Sequence, residues 1–181
     1  MSLFRSVPSR DEVENSVADP LPDQIIRKID DVNDGYHRLV LVVAPEGAGK
    51  TAALRTVGKR LGAPCINLNL ELSRRLLDLT ERQRSLHVQG LVEEVVAEAG
   101  ADLVLLDNIE ILFDPKLQQD PLRCLQQLAR HRTVVATWGG AVVDDGATSA
   151  VLTYAAPGHP EYRRYPANDL TIMTPMVAPI A

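Results

Sequence analysis

With 181 residues, 45% apolar and 24% charged, the chain is sized and composed for one soluble globular domain with a proper core. A formal net charge of -5 excludes a broad electrostatic grip on nucleic acid or acidic lipid, leaving room only for a small local basic patch. Aromatic residues at 4% argue against base-stacking platforms for single-stranded nucleic acid.

The opening stretch MSLFRSVPSRDEVENS lacks the apolar centre of a secretion signal, and residues 1–20 as a whole read as a flexible arm. No run approaches the roughly 18 apolar residues of a membrane span, so a cytoplasmic setting is expected. LPDQIIRKIDD, at 21–31, has apolar residues at 25, 26 and 29 and predicts a short amphipathic helix. The continuous apolar run at 39–43 predicts a strand buried on both faces. Helical spacing follows over 51–61 and stops at Gly62-Ala63-Pro64. CINLNL, 65–70, predicts a second strand, and LELSRRLLDL a short helix after it. Val88, Leu91, Val92, Val95, Val96 and Ala99 make one stripe on a helix over 85–99, with Gly100 placed to cap it. A third strand at 103–106 ends in Asp107. Asp120-Pro121 is a good N-cap and first helical residue for a helix through Leu122, Leu125, Leu128 and Ala129. TVVAT, 133–137, is the fourth strand. AVVDDGATSAVLTY predicts a hairpin with an Asp-Asp-Gly turn, PGHPEYRRYP a stiff loop, and LTIMTPMVAPIA an edge strand or tail. Alternating strands and helices imply an α/β fold with a mostly parallel sheet. The globular part is expected over 21–167, with 168–181 as a C-terminal strand or tail. Cys65 and Cys124 have no metal or disulfide spacing and are expected as buried, reduced thiols.

Residues 39–55, LVLVVAPEGAGKTAALR, carry the most specific signal. The pattern G-x-x-x-x-G-K-[ST] is met with Ala44 in the first glycine position. Small residues let Ala44, Pro45, Glu46, Gly47, Ala48 and Gly49 curl so that backbone N–H groups face the phosphates of a nucleoside triphosphate. Lys50 would neutralise those phosphates and the Thr51 hydroxyl would ligate Mg²⁺. Ala52 continues the helix, whose positive end adds to the site. In LVLLDNIEIL, four apolar residues lead to Asp107, the pattern of a Walker B carboxylate holding Mg²⁺ through water. Many ATPases place Glu directly after this Asp to activate water. Here Asn108 stands in that place, which orients water but cannot take its proton. Glu110 is the substitute if the chain turns helical after the strand, since 107 and 110 would then share a face. A solvated Glu at a helix start is the competing reading, and Glu71 is a weaker candidate base. Thr137 ends the fourth strand, either as a γ-phosphate sensor or simply as a good strand former. Arg123, Arg130, Arg132, Arg163 and Arg164 are candidates for an arginine supplied to a neighbour's site, or solvated surface groups.

APEGAGKT, NLNLELSRRLLDL, LVLLDNIEILFDPKLQQDPL, RHRTVVATW and PGHPEYRRYP together resemble the BrxF-like small P-loop ATPases of bacteriophage-exclusion (BREX) defence systems. The likeness covers roughly residues 22–167. It implies a three-layer AAA+/RecA-like P-loop NTPase core without a helical lid domain, using ATP and Mg²⁺ and acting with other BREX proteins. A homo-oligomeric ring, with Arg132, Arg163 or Arg164 acting in trans, is compatible with it, as is a monomer. Direct DNA contact stays open. Two functional readings follow: an ATP-hydrolysing subunit of a phage-defence assembly, or a nucleotide-gated interaction module with little or no hydrolysis.

Overall fold

The computed structural model describes residues 20–175 except 145, 147 and 148. The arm up to residue 19, the tip of the expected Asp-Asp-Gly turn and the tail from 176 lie outside these residues. In chain order the elements are α1 (Leu21–Val32), β1 (Leu39–Val43), α2 (Lys50–Leu61), β2 (Cys65–Asn67), α3 (Leu68–Leu76), α4 (Glu81–Glu98), β3 (Leu103–Asp107), α5 (Pro121–Leu128) and β4 (Thr133–Trp138). Then follow β5 (Gly140–Asp144), β6 (Ala150–Tyr154), β7 (Arg163–Pro166) and β8 (Thr171–Met173). Two 3-10 turns, Glu110–Phe113 and Pro115–Leu117, join β3 to α5.

Five strands form a parallel sheet in the order β2-β3-β4-β1-β8. The alternation within LVLVV explains how it is covered. Leu39, Leu41 and Val43 join one core cluster with α3, α4 and α5, while Val40 and Val42 join another with Ile25 and Ile29 of α1 and Leu54 and Val57 of α2. Helices therefore cover both faces in three layers, and each fully buried Leu, Ile or Val contributes roughly 1.5–3 kcal/mol. β4 sits between β1 and β3, with Val42 level with Thr137 and Leu106 with Ala136. That register brings the C-terminal tips of three strands side by side, where ligands bind in parallel α/β sheets.

Several boundaries differ from expectation. The strand foreseen over 65–70 stops at Asn67, whose side chain accepts a hydrogen bond from the Leu70 amide at 3.0 Å and so caps α3. α4 begins at Glu81 rather than 85 because Thr80 and Gln83 form a reciprocal capping box. Cys65 is exposed at the sheet edge, contrary to expectation, whereas Cys124 is buried in α5. RRYP is not loop but β7, an edge strand pairing antiparallel with β6, with Pro166 at its end. The expected hairpin is β5 and β6, and with β7 it forms a second, antiparallel sheet in the order β5-β6-β7. The foreseen terminal edge strand is β8, paired with β1.

The second sheet is fastened by aromatic packing. Phe113 stacks on Tyr154 at 3.5 Å between ring centroids, and Trp138 meets Phe113 edge-on at 5.0 Å and Tyr165 at 5.9 Å. Among the described residues, no helix is long and apolar enough to cross a membrane.

Candidate functional site

β1 ends at Val43, and the chain leaves it through a loop whose backbone favours glycine at two positions. Gly47 and Gly49 take φ of 77° and 81°, in the left-handed region. Gly49 is the N-cap of α2 and supplies no side-chain cap, so the first amides of a 12-residue helix point into the space beyond the loop. Ala44 is buried and its amide bonds to the Trp138 carbonyl at 3.1 Å, tying the loop's base to β4. The Lys50 ammonium folds back onto the Ala44 and Pro45 carbonyls, at 2.5 Å and 2.7 Å. Partial burial pulls its pKa below the ordinary lysine value, against the opposing pull of Glu110, Asp107 and Glu46.

At the tip of β3, Asp107 is 5% exposed and accepts a hydrogen bond from Thr137 Oγ1 at 3.1 Å. Two adjacent strands thus present a buried carboxylate held by a buried hydroxyl. Asn108 then adopts φ of 52°, a conformation Asn tolerates better than most residues. The turn lets Ile109, Leu112 and Phe113 reach the core and ends in the 3-10 turn that opens with Glu110. Asp107 and Glu110 therefore do not share a helical face as foreseen, yet both reach the same cleft. The Asn108 carbonyl accepts from the Asn69 amide at 2.9 Å, fixing the start of α3 against this turn.

These segments wall a cleft of about 640 Å³, within the usual size of ligand pockets. Residues 46–52, Asp107, Asn108, Glu110 and Thr137 line it, together with Arg55 and Asn69. The last two were missed from the sequence. Arg55 was findable, being four residues beyond Thr51 on α2; Asn69 was hidden because its segment alternates like a strand. Ala44 and Pro45 do not line the cleft but hold Lys50 through their carbonyls. Glu110 borders the second sheet: a Cβ added at Gly139 would lie 3.7 Å from both Glu110 Oε1 and Tyr154 Cε2. Burial, with Glu161, Glu110 and Glu46 nearby, pushes the Tyr154 phenol up to about 12.

Other candidates lie elsewhere. Glu71 pairs with Arg74 at 3.4 Å outside the cleft lining. Arg132 donates to the Val96 and Ala101 carbonyls at 3.0 Å and 3.4 Å, closing the C-terminal end of α4. Arg163 donates to the Tyr162 carbonyl at 2.9 Å, and Arg164 is exposed on β7. Arg123 is exposed on α5, and Arg130 stacks over Tyr36.

Two cations, Lys50 and Arg55, face three carboxylates, Glu46, Asp107 and Glu110, around the cleft. An anion entering alone would meet repulsion from those carboxylates; an anion accompanied by a divalent cation would not. Among the described residues no group of three or more His, Cys, Asp or Glu side chains could hold a metal unaided. The donor set of Thr51 and Asp107 suits a hard cation that takes most of its oxygen ligands from phosphate and water, as Mg²⁺ does. No family model, curated protein or solved structure compared with this chain matches it.

Proposed function

We propose that the protein binds ATP with Mg²⁺ in this cleft and hydrolyses it, as a P-loop NTPase subunit of a bacterial anti-phage assembly of the BREX kind. The observation that carries the nucleotide reading is the meeting of residues 46–52, Asp107, Glu110 and Thr137 in one cleft at adjacent parallel strand ends. The defence assignment rests on the sequence resemblance alone. In this reading the loop amides and the α2 N-terminus receive the β- and γ-phosphates, and Lys50 exchanges its two carbonyl partners for phosphate oxygens. Thr51 and Asp107 hold Mg²⁺, which neutralises charge on the phosphates when bound. Glu110 accepts a proton from the attacking water, whose oxygen bonds the γ-phosphorus as the bond to the bridging β–γ oxygen breaks. ADP and phosphate leave. Asn108 and Thr137 orient polar partners around that water. Contacts made only by the γ-phosphate would then bias surfaces presented to other subunits.

Calorimetry and steady-state turnover test the reading together. Lys50→Ala is expected to weaken ATP binding ten- to a hundredfold, since a hydrogen bond to a charged group is worth about 1.5–3 kcal/mol. Glu110→Gln should keep binding and lose turnover. No heat with any triphosphate, or turnover no higher than the Lys50→Ala background, would overturn binding or hydrolysis respectively. A second reading, a nucleotide-gated interaction module, is favoured by one observation: the residue after Asp107 is an amide, Asn108. Binding without turnover is its signature.

A further inference from the structure

The strands that end at the cleft begin at a surface of different chemistry. Tyr36-His37-Arg38 leads into β1 and Arg130-His131-Arg132 leads into the adjacent β4. The two loops are locked edge to edge, because the Arg38 amide donates to the Ala129 carbonyl at 3.0 Å and the Val134 amide to the Arg38 carbonyl at 2.8 Å. Tyr36 is 75% exposed, whereas Phe113, Trp138 and Tyr154 are buried and Tyr162 and Tyr165 partly so. It is the one exposed Phe, Trp or Tyr among the described residues.

Its ring is held in place. Arg130 Cζ lies 5.7 Å from the ring centroid, and the His37 ring meets it edge-on at 4.6 Å. His37 is itself fixed by a 3.1 Å hydrogen bond from Nδ1–H to the Gln126 carbonyl. Among the described residues, none of Arg38, Arg130 and His131 forms an ion pair with a carboxylate. Arg130 and His131 also open onto a groove of about 390 Å³ between α4 and α5, where the amide side chains of Gln89 and Gln127 bond each other.

We infer that this N-terminal edge of the parallel sheet binds single-stranded polynucleotide, with Tyr36 stacking a base and Arg38, Arg130 and His131 contacting the flanking phosphates. An anchored aromatic ring with the Arg130 guanidinium over it, on paired loops that also carry Arg38 and His131, matches the two requirements of such binding, a π-face for the base and positive charge for the backbone. The composition argued against platforms in the plural; one ring in the right setting suffices for one base. The site is separate from the cleft, because the five residues of β1 between them span about 16 Å. Asp34 on the same loop, Asp102, whose carbonyl accepts from the Thr133 amide, and Glu93, which lines the groove with Arg130 and His131, keep the local charge surplus small. Affinity is therefore modest and its salt dependence shallow.

Fluorescence anisotropy with labelled oligo(dT) and oligo(rU), on the full chain without ATP, tests this and distinguishes DNA from RNA as the source. Binding of either is expected, weaker for a duplex of the same length. Tyr36→Ala should weaken it roughly tenfold or more, while Tyr36→Phe retains it. Two arginine–phosphate contacts give a slope of log K against log salt of about -1.4, and Arg130→Ala should bring it to about -0.7. No binding at low salt, or binding indifferent to Tyr36→Ala, overturns the inference. Loss with Lys50→Ala and not with Tyr36→Ala would put the polyanion in the cleft and overturn it equally. Failure here leaves the ATP reading untouched, because no nucleotide is present in the assay.

Discussion

The two sheets stand on different footings. The parallel sheet is largely apolar on both faces through β1, β3 and β4; of its buried polar groups among the described residues, Asp107 and Thr137 sit at its C-terminal tips and Thr133 at the start of β4. Its strands are positioned by burial from two sides, so those tips are held still. The antiparallel sheet is covered less completely: in β6, Leu152 and Tyr154 are buried against the core and Val151 on the opposite face, while β5 is largely exposed. It depends on the joint Trp138-Gly139-Gly140 and on a few aromatic contacts. A rigid edge that holds chemistry is thus joined, within three residues of Thr137, to a lightly anchored sheet that borders Glu110.

Breaking the joint should have the largest effect. A Cβ at Gly140 would overlap the Thr153 carbonyl, which also accepts the Trp138 indole N–H at 2.9 Å. The obstacle is backbone, so no rotamer change relieves it. Gly140→Ala should cost about 3 kcal/mol or more, at the upper end of overpacking penalties. Gly139→Ala, whose Cβ would have its nearest neighbours at 3.7 Å, should cost little. Urea unfolding of the pair measures the difference. Equal midpoints would show that the second sheet does not need the close crossing.

A smaller loss is expected within the parallel sheet. Thr137→Val keeps the shape of a side chain that is 2% exposed but removes the donor to Asp107. A buried carboxylate oxygen that loses its partner costs about 1–3 kcal/mol. Thr137→Ser restores the hydroxyl and should recover most of it. An unchanged midpoint in Thr137→Val would mean that water or Lys50 replaces the hydroxyl, and that the tip is less fixed than the comparison holds.

The same contrast marks what was legible in the sequence. Two-sided burial writes itself as continuous apolar runs, so β1, β3 and β4 were readable, and with them the loop 44–52 and Asp107. Asp120-Pro121 announced α5 for an equally local reason. β7 was not readable, because an exposed edge strand made of Arg163, Arg164, Tyr165 and Pro166 shows little hydrophobic alternation. CINLNL misled because Asn67 both fits a polar strand position and caps a helix. The capping box in Thr80-Glu81-Arg82-Gln83 was available and would have placed the start of α4. Nothing local could show that Cys65 is exposed or that Tyr36 is the ring left outside, since both depend on which loops the sheet order brings together.

The smallest effect comes from the far side of the second sheet. Tyr165 of β7 donates its hydroxyl to Asp120 Oδ1 at 3.1 Å, and the same oxygen caps α5 by accepting from the Arg123 amide at 3.0 Å. Removing the hydroxyl in Tyr165→Phe should cost about 0.5–1 kcal/mol at neutral pH, the low end because the contact is partly wet. Burial, and then the Asp120 carboxylate, raise the phenol above its ordinary value of 10.0. A raised folded-state value means the contribution is fully present below pH 10. It is lost as pH climbs from there, because the unfolded chain ionises first. The advantage of Tyr165 over Phe should therefore shrink as pH rises past 10, read as converging urea midpoints at neutral and alkaline pH. A constant gap would mean that the hydroxyl gives up its proton equally easily in both states. β7 would then be anchored by the contact of Tyr165 with Trp138 rather than by Asp120.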